Sequence, residues 1–202
     1  MDTEFPATDL DLAALIGSRI CHDLISPVGA IGNGVELLTM SGAAAGPELA
    51  LISESVESAS ARIKFYRIAF GQASAGQSVG RAEVLSILSD IYKGARLKVH
   101  WAPQDDCPRR EVQLAFLLLQ CLESAMPYGG QVHISRADRA WRLTGEADKM
   151  KISETLWPAL AGRSPVEVDP GHVHFALAPQ AAERMGRRLG VEVTRARIAL
   201  TF

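Results

Sequence analysis

The chain has 202 residues, with 21 Lys+Arg against 23 Asp+Glu, 48% hydrophobic residues, 17 Gly and 10 Pro. That is enough for one large domain or two small ones with an ample core. A formal charge of −2 excludes a nucleic-acid binder working through bulk positive charge. The longest apolar run, Leu114 to Leu119, falls far short of the roughly 20 residues of a membrane span, so no membrane partner is expected.

Cys21, Cys107 and Cys121 are odd in number and widely spaced, without a C-x-x-C. They read as reduced thiols of a cytoplasmic protein rather than a disulfide frame or zinc site. The acidic start Met1-Asp2-Thr3-Glu4 lacks the basic and apolar regions of a signal peptide.

Apolar or small residues recur as Ala14, Gly17, Cys21, Leu24, Val28, Ile31, Val35 and Leu38. Steps of three and four predict a helix that buries one seam. Asp9 or Thr8 can cap its start, and Ser41-Gly42 ends it. After a loop at 43–46, Pro47 suits the first turn of a second helix. Its seam is Leu49, Ile52, Val56, Ala59, Ile63, Tyr66 and Phe70. Two such helices make an antiparallel hairpin. This hairpin has more apolar surface than two helices can hide, since Leu12, Leu15 and Ile16 lie off the seam. Either a second copy completes a dimeric four-helix bundle, which is the more economical solution, or the C-terminal half covers the surface.

Residues 71–80 (GQASAGQSVG) are a linker by composition, dividing the chain into 1–75 and 76–202. Beyond it the pattern predicts helices at 81–92, 111–125, 153–160 and 180–189. Strands are predicted at 97–101, 132–135, 141–144 and 173–177, with a closing hairpin at 191–193 and 198–202. This describes an α+β sandwich with helices on one face. Ser164-Pro165 and Gly129-Gly130 read as turns. Trp141 and Trp157 read as core or rim residues. His172 and His174 would alternate on one strand face, either as an H-x-H metal pair or, with no further ligand nearby, as a solvated face.

The chemistry concentrates in Ser18-Arg19-Ile20-Cys21-His22-Asp23-Leu24-Ile25-Ser26-Pro27-Val28-Gly29-Ala30-Ile31. At about 100° per residue from Cys21, the residues Leu24, Val28 and Ile31 cluster within about 80°. His22 falls on the opposite side, with Arg19, Ser26 and Asn33 within about 60° of it. The histidine therefore projects outward from mid-helix, with an imidazole able to act as a nucleophile. Pro27 removes the amide that would bond the Asp23 carbonyl and predicts a kink. Gly29, almost directly along the His22 face, either lets a partner approach or relieves crowding.

The pattern H-D-L-x-x-P-V-x-x-I on the first helix of a hairpin resembles the phosphoacceptor motif of histidine-kinase dimerisation domains. His22, Asp23, Leu24, Pro27, Val28 and Ile31 match it position by position. The wider run CHDLISPVGAIGNGVELL is similar to the alphaproteobacterial histidine phosphotransferases of the ChpT type. In the matching kinase ATPase domain, an N-box carries two Asn four residues apart and a D-x-G-x-G box holds adenine. Here Gln120 and Ser124 stand at the Asn positions, and D-x-G-x-G is absent from the sequence. The resemblance thus implies a degenerate ATPase-like domain that does not use ATP.

It further implies a homodimeric histidine phosphotransferase, with His22 as phosphoacceptor and Asp23 orienting the imidazole or taking its other proton. Arg19 would neutralise phosphoryl charge, and Ser18, Ile25, Ser26, Gly29 and Asn33 would dock the receiver. The implied partners are the receiver domain of a hybrid kinase and downstream response regulators. The chain would need no cofactor or metal of its own, the receiver supplying Mg²⁺. The rival readings are an ATP-dependent autokinase and a non-catalytic receiver-binding adaptor.

Overall fold

The computed structural model describes residues 9–41, 47–138, 140–162 and 167–202. Two long helices, α1 (Asp9–Ser41) and α2 (Pro47–Ala69), pack side by side with Gly34 against Ile52 and Asp23 against Tyr66. They therefore run antiparallel. Helix α1 continues through Pro27. The expected caps at Thr8 and Gly42, the loop at 43–46, the side chain of Asp9 and the turn at Ser164-Pro165 lie outside the described residues.

The face that α1 turns to α2 differs from the expected seam. Pro27 and Gly34 are buried there, and Ile20, Asp23, Ile31 and Leu38 are partly buried. Val28 and Val35, by contrast, are 58% and 51% exposed. On α2, Ser55, Ala59 and Tyr66 are buried while Leu49, Val56 and Ile63 are exposed. Close approach explains the rotation. A Cβ at Gly34 would lie 2.5 Å from Ile52 Cγ1, so the helices meet through the hydrogen of a glycine. Hydrophobic periodicity favours the bulkier stripe and misses this. Pro27, expected to kink the helix, contributes its ring to that interface. Leu12, Leu15 and Ile16, the off-seam residues, are covered by the C-terminal half: Leu12 is buried, and it and Ile16 share a cleft with Leu177 and Met185.

The rest comprises β1 (Ser78–Val79), α3 (Arg81–Tyr92), β2 (Leu97–Trp101), β3 (Cys107–Pro108), α4 (Arg109–Ala125), β4 (Gly130–Ala137), β5 (Ala140–Glu146) and α5 (Leu156–Leu160). A 3-10 turn (Pro170–His172), α6 (Val173–Glu183), β6 (Gly190–Val193) and β7 (Arg197–Thr201) complete it. A five-stranded sheet runs β2-β4-β5-β7-β6, with β2 and β4 parallel and the other neighbours antiparallel. Leu143 and Trp141 face inward under the helices, while His100 and His133 stack on the open face with ring centroids 4.7 Å apart. Trp157 is buried as well.

Two expectations are corrected. Val173–Leu177 is not a strand but the first half of α6. Its V-H-F-A-L alternation looks extended, yet Val173, His174, Phe175, Ala178 and Ala182 are all buried, and packing against α4 and α5 decides the state. The predicted 180–189 helix ends at Glu183 for the same reason: its first turns belong to α6. The 71–80 segment, a linker by composition, is held against α4 and β3. Gln113 Nε2 donates to the carbonyls of Ala69 (3.2 Å) and Gly71 (2.8 Å), Arg109 reaches the Arg67 carbonyl at 2.7 Å, and β1 pairs with β3. The hairpin is thereby clamped to α4. A Cβ at Gly71 would lie 2.2 Å from the Arg67 carbonyl oxygen, so the glycine is required where the chain leaves α2.

Candidate functional site

Midway along α1, His22 presents 84% of its side chain to solvent while Asp23 beside it is 10% exposed. The residues differ because they sit about 100° apart on the helix, Asp23 turned towards α2 and His22 away. The imidazole Nδ1 lies 3.0 Å from Asp23 Oδ1. The other carboxylate oxygen accepts from Arg19 Nε at 2.7 Å and from the Tyr66 hydroxyl, with Arg62 Nη1 at 3.8 Å. Arg19 in turn donates from Nη1 to the carbonyl of Gly171 in the 3-10 turn.

Burial pushes the Asp23 carboxyl up, but hydrogen bonds from Tyr66, His22 and Arg19 outweigh it and hold the acid below its ordinary range. Burial, reinforced by that carboxylate, carries the Tyr66 hydroxyl up to about 12. The chemical result is an ionised acid fixed against one ring nitrogen, with Nε2 free and facing water.

Of the expected docking residues, Ser18, Ile25, Ser26, Gly29 and Asn33 are all exposed, and they span an arc of about 100° that contains His22. A Cβ at Gly29 meets nothing within 4 Å, so crowding within the chain does not explain that glycine. Arg19 requires correction. Its side chain is 22% exposed and its guanidinium is committed to Asp23 and Gly171 rather than to the open side of His22. Its link to the imidazole runs by way of the Asp23 carboxylate. Tyr66 and Gly171 were missed by sequence reasoning. A tyrosine inside an aliphatic seam was the available signal for Tyr66; Gly171, 152 positions from Arg19, gave none.

On α4, Gln120 and Ser124 stand at the two positions singled out by the sequence. Ser124 Oγ donates to the Gln120 carbonyl at 2.9 Å and lies 3.0 Å from His174 Nε2. Gln120 is buried, and among the described residues neither of its amide atoms has a hydrogen-bond partner. Thus His174, expected on an exposed strand face or as a metal ligand with His172, is buried in a helix instead. His172 pairs with Asp169 at 3.0 Å on the surface. Among the described residues no group of three His, Cys, Asp or Glu is placed to hold a metal ion. No helix of the described chain is long and apolar enough to cross a membrane.

The site is thus an exposed histidine on a two-helix hairpin, held by its neighbouring acid, with an α+β layer behind it. Residues 81–197 match the family described as the histidine phosphotransferase C-terminal domain, and the chain belongs to that family. It is 33% identical over 192 residues to the protein phosphotransferase ChpT of Brucella abortus (strain 2308), covering 92% of this chain and 91% of the relative. A solved structure described as a bacterial phosphotransferase superposes with a TM-score of 0.77 at 30% identity, covering 98% and 99% of the two chains. A histidine kinase domain from Erythrobacter litoralis EL346 is similar at 18% identity with a TM-score of 0.46.

Proposed function

We propose that this histidine phosphotransferase relays phosphoryl groups between receiver aspartates of a multistep two-component phosphorelay, with His22 as the carrier. The observation that supports it is the contrast between the exposed imidazole and its buried, ionised acid. With Nδ1–H donated to Asp23, the Nε2 lone pair attacks the phosphorus of a receiver's aspartyl phosphate in line. The P–N bond forms as the P–O bond breaks, and the electron pair leaves with the aspartate. The ring then carries positive charge, which the Asp23 carboxylate stabilises at the nitrogen it already holds. Transfer to a second receiver reverses these steps. The receiver brings its own aspartate and Mg²⁺, and positioning does the rest.

Against autokinase activity stand Gln120 and Ser124 at the N-box positions and the His174 ring packed on Ser124. The working form is a homodimer. Cys21, Val28 and Val35 lie about 100° round α1 from Pro27, and His22 about 140° round the other way. Together with Leu49, Val56 and Ile63 on α2 they leave an apolar face exposed on one copy, directed away from the phosphoacceptor. A second hairpin fits that face as a four-helix bundle. The free cysteines Cys21, Cys107 and Cys121 and the response-regulator partners of this reading support a cytoplasmic setting.

The decisive experiment incubates the protein with a phosphorylated receiver and Mg²⁺. Label should pass to wild-type protein and not to His22→Gln; label retained by that variant refutes the assignment. Millimolar Mg²⁺–ATP should neither label the chain nor raise its Tm, whereas a clear shift would restore the autokinase reading. Val28→Glu with Ile63→Glu should convert the dimer to monomer by light scattering; a wild-type monomer would overturn the bundle.

A further inference from the structure

Asp23 is oriented by groups from three separate parts of the chain. Its Oδ1 meets the ring of His22 at 3.0 Å. Its Oδ2 accepts from Arg19 Nε, one turn earlier on α1, and from the Tyr66 hydroxyl on α2, 43 positions away. Arg19 is itself anchored by the Gly171 carbonyl from the turn that precedes α6. A carboxylate with no such support rotates about its own bonds, and its hold on a neighbouring imidazole on a helix surface is lost, because successive helix residues do not face each other. Here both oxygens are assigned: one to the phosphoacceptor and one to a bracket built from distant elements.

We propose that Tyr66 and Arg19, the latter braced by the Gly171 carbonyl, are positioning residues that lock Asp23 onto Nδ1 of His22 and so set the reactive tautomer. The C-terminal half thereby takes part in the phosphotransfer reaction without touching the phosphoryl group. A neutral histidine has one proton shared between two nitrogens. If it rests on Nε2, that nitrogen has no lone pair for attack; held on Nδ1 by Asp23, the proton leaves Nε2 nucleophilic. Tyr66 can serve only as a donor, since burial and the carboxylate keep its hydroxyl protonated at neutral pH. Arg19 contributes a second donor and the link to the 3-10 turn. Neither side chain reaches the solvent face where the phosphoryl group arrives, and both act through Asp23.

This inference rests on His22 being the phosphoacceptor, and the test separates the two. Nitrogen NMR of ring-labelled protein above the histidine titration range reads the tautomer directly, and a phosphorylated receiver supplies the transfer rate. Wild-type His22 should be protonated at Nδ1. Tyr66→Phe and Arg19→Gln should each shift population to the Nε2–H form and slow transfer about ten- to a hundredfold, as misplacing a reacting group does. Receiver affinity should stay within about twofold, because the docking face is untouched. Arg19→Lys, which keeps the charge but loses the fork between Asp23 and Gly171, should behave like Arg19→Gln. If the variants keep the wild-type tautomer and rate, the positioning roles are wrong even though His22 takes label. If wild-type protein takes no label on His22, it is the functional reading that fails. Should Tyr66→Phe lose its fold, Arg19→Gln and Arg19→Lys carry the same test.

Discussion

His22 and His174 are the same side chain in opposite circumstances. His22 stands 84% exposed with one nitrogen on a carboxylate, whereas His174 is 1% exposed and meets a serine hydroxyl. Burial, with Arg19 and His172 nearby, pushes the His174 ring down to about 3, so it stays neutral at any physiological pH. The difference lies in the packing partner. Among the described residues the face of α1 around His22 is exposed, while α6 is pressed against α4 and His174 packs beside Ser124. The hairpin presents an open surface around His22, while the α+β half has a packed interior. A histidine becomes chemistry or core according to what covers it.

The largest effects should come from exchanging these roles by mutation. His22→Ala should abolish labelling by a phosphorylated receiver while leaving stability within about 0.5 kcal/mol, since the side chain is exposed and its removal leaves no cavity. His174→Ala should cost about 2–3 kcal/mol, through a cavity and the lost partner of Ser124, and the protein that remains folded should still take label. Chemical denaturation and a labelling gel on the same samples check both. A stable His174→Ala protein that fails to accept phosphate would show that the packed half does more than hold shape.

Acid should reveal the next effect. Folded, His174 takes a proton only near pH 3, while unfolded it does so near 6.5. Between these values the unfolded chain binds more protons, so stability rises with pH. The contribution is complete above about 6.5 and is lost progressively towards 3, reaching about 2 kcal/mol at pH 5. Denaturation midpoints at pH 7 and pH 5 measure it, with His174→Leu as the control whose pH dependence should be flatter. Equal slopes in the two proteins would mean that His174 is hydrated in solution.

The hairpin and the exposure of His22 were legible because both depend on local pattern. Pro47 opened α2 where expected, and the motif from His22 to Ile31 fits within three turns of one helix. What was not legible depends on contacts far apart in sequence. No periodicity tells that Gly34 rather than Val28 faces α2, since the rule rewards bulk and the interface needed its absence. Val173–Leu177 alternates like a strand and folds as a helix because α4 and α5 surround it. Arg19 lies one turn before His22, yet its partner Gly171 is 152 positions away, so the direction of its side chain could not be read.

The finest comparison is between the two glycines that decide which face of α1 is open. At Gly29 a Cβ meets nothing within 4 Å, whereas at Gly34 it would press on Ile52 at 2.5 Å and lie 3.3 Å from the Glu48 carbonyl oxygen. Gly34→Ala should therefore destabilise the hairpin by about 1–3 kcal/mol, as overpacking does. Gly29→Ala should stabilise it by about 0.5–1 kcal/mol, because alanine loses less backbone freedom in a helix than glycine. The opposite signs, read from the denaturation midpoints of two otherwise identical substitutions, test the orientation of α1 without any reference to function. Gly29→Arg then asks what the open face is for. It should fold and dimerise as wild type but lose phosphotransfer steeply, because the arginine stands along the same face as His22, two turns away, where a receiver must come close. Wild-type transfer by Gly29→Arg would move the receiver to another face of the hairpin. A destabilised Gly29→Ala would mean instead that this face is already covered when the dimer forms.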